Sequence, residues 1–187
     1  MKLNRKTTVI VLLLMSLTFS SYKIAATLYQ TKTGTVSFSS DAPLEIIKAS
    51  SNKLAGILSS EKKSFAFVVP MKSFDGFGKP LQRDHFNENY IESDKYPNAK
   101  FEGKIIEDID FSKDGNYKVR AKGKFSIHGV EESKTIKCDL TIKGKEIKIR
   151  SKFSVMLEDH GIKIPSVVNQ KIAEKIVVSI NLSLLPR

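Results

Sequence analysis

From residue 34 onward, apolar and polar residues alternate with a period of two. That spacing sends successive side chains to opposite faces of a β-strand. The clearest stretch is Lys118-Val119-Arg120-Ala121-Lys122-Gly123-Lys124-Phe125-Ser126-Ile127, polar at every even position and apolar at nearly every odd one. Ile136, Cys138, Leu140 and Ile142 repeat the pattern, as do Ile147, Ile149, Phe153 and Val155. Ile176, Val178, Ile180, Leu182 and Leu184 form a last apolar series. Residues 35–40, 44–49, 54–59, 64–71 and 100–107 are less regular but read as strands, giving eight or nine in all. Asp114-Gly115-Asn116 and Lys143-Gly144-Lys145 are hairpin signals. Residues 79–90 break the rhythm and predict a short helix or structured loop across one end. A short turn is expected at residues 171–175.

Many strands with one polar face make an all-β, antiparallel domain, either a sandwich or a barrel. Periodicity alone does not choose between them. It does place the lysine-rich face outward, the reverse of a membrane barrel with its apolar outer band.

Composition changes this picture little. Hydrophobic residues make up 41% of the 187 and charged residues 27%, ordinary globular values. The net charge is +11, with a pI of about 9.6. The lysines are spread along the chain without a long basic run, and there is no Trp to offer a stacking platform. A solvated outer face explains them better than a nucleic-acid site. The single cysteine, Cys138, cannot form an intramolecular disulfide, and its place on the apolar face predicts a buried, inert thiol.

The first 26 residues read as a secretory signal peptide. Lys2, Arg5 and Lys6 form a positive start, residues 9–19 an 11-residue run that is nearly all apolar, and Ser20, Ser21, Ala25 and Ala26 are small residues suited to cleavage, after Ser20 or, preferably, after Ala26. An uncleaved anchor is the alternative, although the run is short for a membrane span. Cleavage after Ala26 removes four basic residues and no acid, so the net charge falls by four to +7. The expected location is periplasmic or secreted.

Chemistry-bearing motifs are scarce. His85, His128 and His160, with Asp84, Glu88 and Asp159, fit no metal-ligand spacing, and no G-x-S-x-G elbow is present. Structural roles are expected for the histidines. The expectation is a chain without catalytic activity, cofactor or metal.

Three stretches resemble the YceI-like family. The first runs Arg83-Asp84-His85-Phe86-Asn87-Glu88-Asn89-Tyr90-Ile91-Glu92-Ser93-Asp94-Lys95-Tyr96-Pro97 and on through Gly103. The second is Gly123-Lys124-Phe125-Ser126-Ile127-His128-Gly129-Val130, and the third is residues 153–165 with Asp159-His160-Gly161. The likeness covers about residues 34 to 185. It implies an elongated, lipocalin-like antiparallel barrel of about eight strands; with the short helical lid read at residues 79–90 and the signal peptide set aside, the domain is expected to occupy residues 27–187. It also implies a periplasmic or secreted binding protein that holds a polyisoprenoid or other lipid-like amphiphile. A barrel module with a filled core and an interaction or stress-related role is the alternative.

Eight strands can just be filled by side chains or can enclose one small ligand. Candidate ligand-binding residues inside the barrel are Phe38, Phe65, Phe67, Phe101, Phe125 and Phe153, with Gly103, Ala121, Gly123 and Ser151 leaving space between them. Phe74 and Phe77, in the loop Phe74-Asp75-Gly76-Phe77-Gly78-Lys79-Pro80, read either as a plug or as a ligand portal. Arg83, Asp84 and His85 are the polar candidates at the mouth. Expected partners are the isoprenoid or fatty amphiphile and, weakly, an anionic membrane surface, with no nucleic acid; the chain is expected as a monomer or homodimer.

Overall fold

The computed structural model describes residues 27–187. The signal-peptide expectation for residues 1–26 falls outside them. Eight antiparallel strands close into one up-and-down barrel: β1 Leu28–Asp41, β2 Ile46–Ser59, β3 Ser64–Pro70, β4 Asn98–Ile105, β5 Gly115–Ile127, β6 Val130–Lys143, β7 Glu146–Met156 and β8 Lys175–Pro186. β8 pairs with β1, which abolishes sheet edges. The architecture is the lipocalin-like barrel expected, with a short helix α1, Pro80–His85, in the segment between β3 and β4.

Two of the segments predicted as separate strands, 44–49 and 54–59, are the single strand β2. The reason lies in its pairing with β1. Gly34 opposes Leu54, and Val36 opposes Ser51, with register shifts on either side of Gly34. An extra residue on β1 and then one on β2 interrupt the alternation while the ladder continues. The hairpin signal at residues 114–116 is also displaced: Gly115 already begins β5, and the turn is built at Asp110, whose carboxylate accepts from Ser112 N at 3.0 Å.

The two ends of the barrel differ. At one end the connections are short except for 106–114, and the interior is solid. Tyr29, Leu58, Ile109, Phe111, Ile142, Ile147 and Leu184 are all buried there, Ile147 and Leu184 completely. The opposite end carries the long connections, 71–97 and 157–174.

Two seams in the wall open toward that second end. β3 pairs with β2 only over Ala55–Leu58, and β7 pairs with β6 only from Cys138↔Ser151 to Lys143↔Glu146. Each seam is filled by a connection. Asp75 exchanges two 2.8 Å backbone hydrogen bonds with Ser50 of β2, and the hydroxyls of Ser51 and Ser73 lie 2.6 Å apart. On the other side, a turn at Glu158–His160 packs against both β6 and β7. The polar run Ser50-Ser51-Asn52-Lys53 thus sits mid-strand because β2 faces the lid segment there instead of a neighbouring strand.

Candidate functional site

A cavity of about 430 Å³ occupies the barrel between the solid end and the lid. Its floor includes Leu58, Ile105 and Leu140, and its walls include Ala121, Ile149, Ser151, Val178 and Leu182. The volume falls in the ~300–1,000 Å³ range of small-molecule sites. Among the described residues no group of three or more His, Cys, Asp or Glu side chains converges on it or elsewhere.

All eight phenylalanines singled out from the sequence line this cavity. They form two groups. Phe65, Phe67, Phe101, Phe125 and Phe153 make a row along the wall, with Phe65 and Phe101 centroids 4.9 Å apart and Phe101 and Phe125 at 6.4 Å. Phe38, Phe74 and Phe77 gather under the lid around Phe86, with centroids 5.3–6.0 Å apart. Phe74 is buried and Phe77 half-buried, so the loop rings roof the cavity rather than project into solvent.

The small residues divide differently from the sequence expectation. Ala121 and Ser151 do line the cavity. Gly103 and Gly123 do not; they oppose each other across β4 and β5. A Cβ on Gly103 would lie 2.1 Å from the Lys122 carbonyl oxygen, so this glycine pair lets two backbones approach instead of widening the interior.

The polar candidates also divide. His85 reaches the cavity mouth, but Arg83 and Asp84 face a shallow outer depression on the far side of α1. Arg83 stands 4.0 Å from Asp75, both well exposed. A six-residue helix has only one face to turn inward, and Leu81, His85 and the following Phe86 take it. The polar groups that do border the mouth are Glu45, Lys79, Gln82, His85 and Lys171. Glu45 accepts from Gln82 Nε2 at 2.8 Å, which ties the β1–β2 hairpin to the lid. Phe86, Leu81, Ile162, Val168 and Ile172 were not singled out from the sequence; they lie in connections where no periodicity marks an inward face.

Cys138 lines the cavity half-buried, and burial pushes its thiol above the ordinary range. His128 and His160 lie outside the lining. His128 and Gly129 both adopt positive φ, 53° and 76°, forming the tight turn between β5 and β6. The His128 ring sits 2.8 Å from the Glu92 carboxylate through Nε2 and 2.9 Å from the His160 carbonyl through Nδ1. The ring thus bridges a carboxylate and a backbone carbonyl. Tyr96 packs edge-on to the same ring at 4.8 Å and covers Gly129, where a Cβ would lie 2.4 Å from the tyrosine ring. Glu92, too, has a positive φ, 49°.

This contact fastens the end of the lid to the β5–β6 turn and the Glu158–His160 turn. The three sequence stretches that carry the family likeness therefore meet here, beside the cavity. His160 itself is fully buried, edge-on to Phe125 at 5.3 Å, and neither ring nitrogen has a hydrogen-bond partner. Burial, helped by Lys134, holds its pKa below the ordinary 6.5, against the opposing pull of Glu132 and Asp159. The ring acts as a neutral wedge in the β6–β7 seam.

The YceI-like domain matches residues 17–184. Among solved structures, a polyisoprenoid binding domain from Saccharophagus degradans superposes with a TM-score of 0.70 at 14% identity, covering 87% of this chain and 99% of that one. BcnA of Burkholderia cenocepacia gives 0.66 at 17% identity, over 80% and 95%. A YCEI protein from Campylobacter jejuni gives 0.53 at 16% identity, over 67% and 72%. At these identities the structural likeness speaks for the fold alone. Among curated proteins, none matches the chain significantly.

Proposed function

The chain belongs to the YceI-like family, and from that premise we propose that it is an exported binding protein that carries or sequesters an isoprenoid or similar amphiphile inside its barrel. The observation that carries this reading is the cavity: about 430 Å³, walled by aromatic and aliphatic side chains, closed at one end and reaching the surface at the other. The polyisoprenoid binding domain of similar fold supports the choice of ligand class. The signal-like pattern of residues 1–26 supports a periplasmic or secreted location.

The physics of the site favours a greasy chain. Each CH₂ moved from water to an apolar site contributes about 0.8 kcal/mol, so one isoprene unit contributes on the order of 3 kcal/mol. A few units outweigh the ~4–15 kcal/mol cost of immobilising a ligand. The polar groups at the mouth, Lys79, Gln82, His85, Glu45 and Lys171, stand where a head group would emerge. Among the described residues the cavity lining is dominated by aromatic and aliphatic side chains, which supports reading the protein as a carrier.

Native mass spectrometry of the mature protein purified from its own envelope, paired with lipid extraction, tests the reading. An added mass that extracts as an isoprenoid or fatty amphiphile is the expected result. A clean apo mass with no uptake of offered polyprenyl lipids would transfer the protein to the other class, an interaction module.

A further inference from the structure

The cavity reaches the surface between three segments: the β1–β2 hairpin tip, helix α1 and the turn at Ser166–Val168 with the residues after it. Glu45, Leu81, Val168 and Lys171 of these segments belong to its lining. They are held together, with Leu44 N donating to Gln170 O at 2.9 Å and Gln82 bonded to Glu45. The rim they form is unusually apolar for a surface. Leu44 is 66% exposed, Ile46 58%, Leu81 60% and Val167 86%. Among the described residues the other large exposed apolar side chains, Leu28, Ile57, Ile106 and Leu185, lie elsewhere, toward the solid end, and are only 37–55% exposed. Exposed apolar groups gathered around an opening mark an interaction site. The charge in and beside these segments selects the partner: Lys48, Lys79, Lys163, Lys171 and Lys175 stand against Asp41, Glu45 and Glu174, with Glu45 already engaged by Gln82 and with Arg83 and Asp84 turned to the far side of α1.

Resting on the carrier reading, we propose that this rim docks on the surface of an anionic phospholipid bilayer, with Leu44, Leu81 and Val167 entering the headgroup layer and the mouth facing the lipid. Lysines around inserted aliphatic side chains are the composition of an interfacial binder. Docking in this pose lets a lipid-soluble ligand pass from bilayer to cavity without crossing water. It also accounts for an opening placed at the lid while the solid end stays shut.

Flotation with vesicles of pure phosphatidylcholine, and with a quarter of the lipid replaced by phosphatidylglycerol, tests this. The mature chain should float with the anionic vesicles at low salt and much less at high salt, because exposed charges are screened. The double variant L44S/V167S, at two positions outside the cavity lining, should lose about tenfold or more of that binding. L185S, at the solid end, should leave it unchanged. Both variants should still take up a short-chain prenyl alcohol offered without vesicles. Absent flotation of the unaltered chain, or equal binding by L44S/V167S, overturns the docking surface. So does a dimer in sedimentation that L44S/V167S dissociates without any vesicle binding, since the rim would then cover a second copy. Vesicle binding without prenyl uptake would instead overturn the carrier reading and leave the docking surface standing.

Discussion

The two ends of this barrel are made of the same residue types and behave as different materials. At the solid end, strands meet through short connections, and Leu58, Leu140, Ile147 and Leu184 interlock with almost no exposure. Ile109 and Phe111, from the one longer connection, complete the seal. At the lid end, β2 parts from β3 and β6 from β7, and the space is roofed by connections and by the Phe38, Phe74, Phe77 and Phe86 rings. Full strand pairing forces side chains into register and lets them fill the interior. Where pairing ends, the walls diverge and the interior stays hollow. Tight packing is concentrated at one end, and the hollow lies at the other.

The largest effect is expected at the seal. Ile147→Ala should cost about 2–5 kcal/mol, as a fully buried aliphatic does, and lower Tm by roughly 5–20 °C in a circular-dichroism melt. A loss below ~1 kcal/mol would mean that the seal is not where stability resides.

His128→Ala, which removes the link between lid, turn and seam, should cost about 1–3 kcal/mol. Hydrogen exchange should speed up in residues 86–97 while the Ile142–Ile147 region stays protected. Uniform loss of protection would show that the two ends unfold as one unit.

A smaller effect is expected from pH. His160 is buried neutral, with a pKa below 6.5. Between that depressed value and 6.5 the unfolded chain binds the extra proton, so stability is fully present above 6.5 and falls as pH is lowered through this window. A His160→Phe variant should show a flatter stability profile there, and an unchanged slope would assign the acid sensitivity to another group.

The smallest effect on stability, but not on binding, belongs to Ala121→Leu. In a packed core it would cost about 1–3 kcal/mol. Projecting into the cavity, it should leave Tm nearly unchanged while abolishing uptake of a fluorescent prenyl analogue. A destabilised Ala121→Leu protein would argue that the hollow is filled.

Much of this was legible in the sequence. Alternation located β5 to β8, less regular runs marked β1 to β4, and the outward lysines set the polarity of the wall. The break at residues 79–90 marked the lid, and the eight phenylalanines marked the cavity lining. Arg83 and Asp84 were misplaced because a helix as short as α1 turns only one face inward, and sequence does not say which. The β2 division and the displaced β4–β5 turn have a common cause: a bulge or an Asx turn shifts phase locally, and the period-two rule cannot see across it.

Local periodicity and turn chemistry encode strand content, the outer and inner face of the regular strands, and the hairpin turn at Lys143-Gly144-Lys145. Tertiary structure alone decided the rest. Closure between β1 and β8 joins residues 138 to 157 positions apart, from Ser39↔Val177 to Tyr29↔Pro186. The two seams, the glycine pair that lets β4 meet β5 and the burial of His160 all depend on which strand stands beside which. So does the cavity, because a hollow is the volume left over once every distant side chain has found its place, and no single stretch of chain contains that difference.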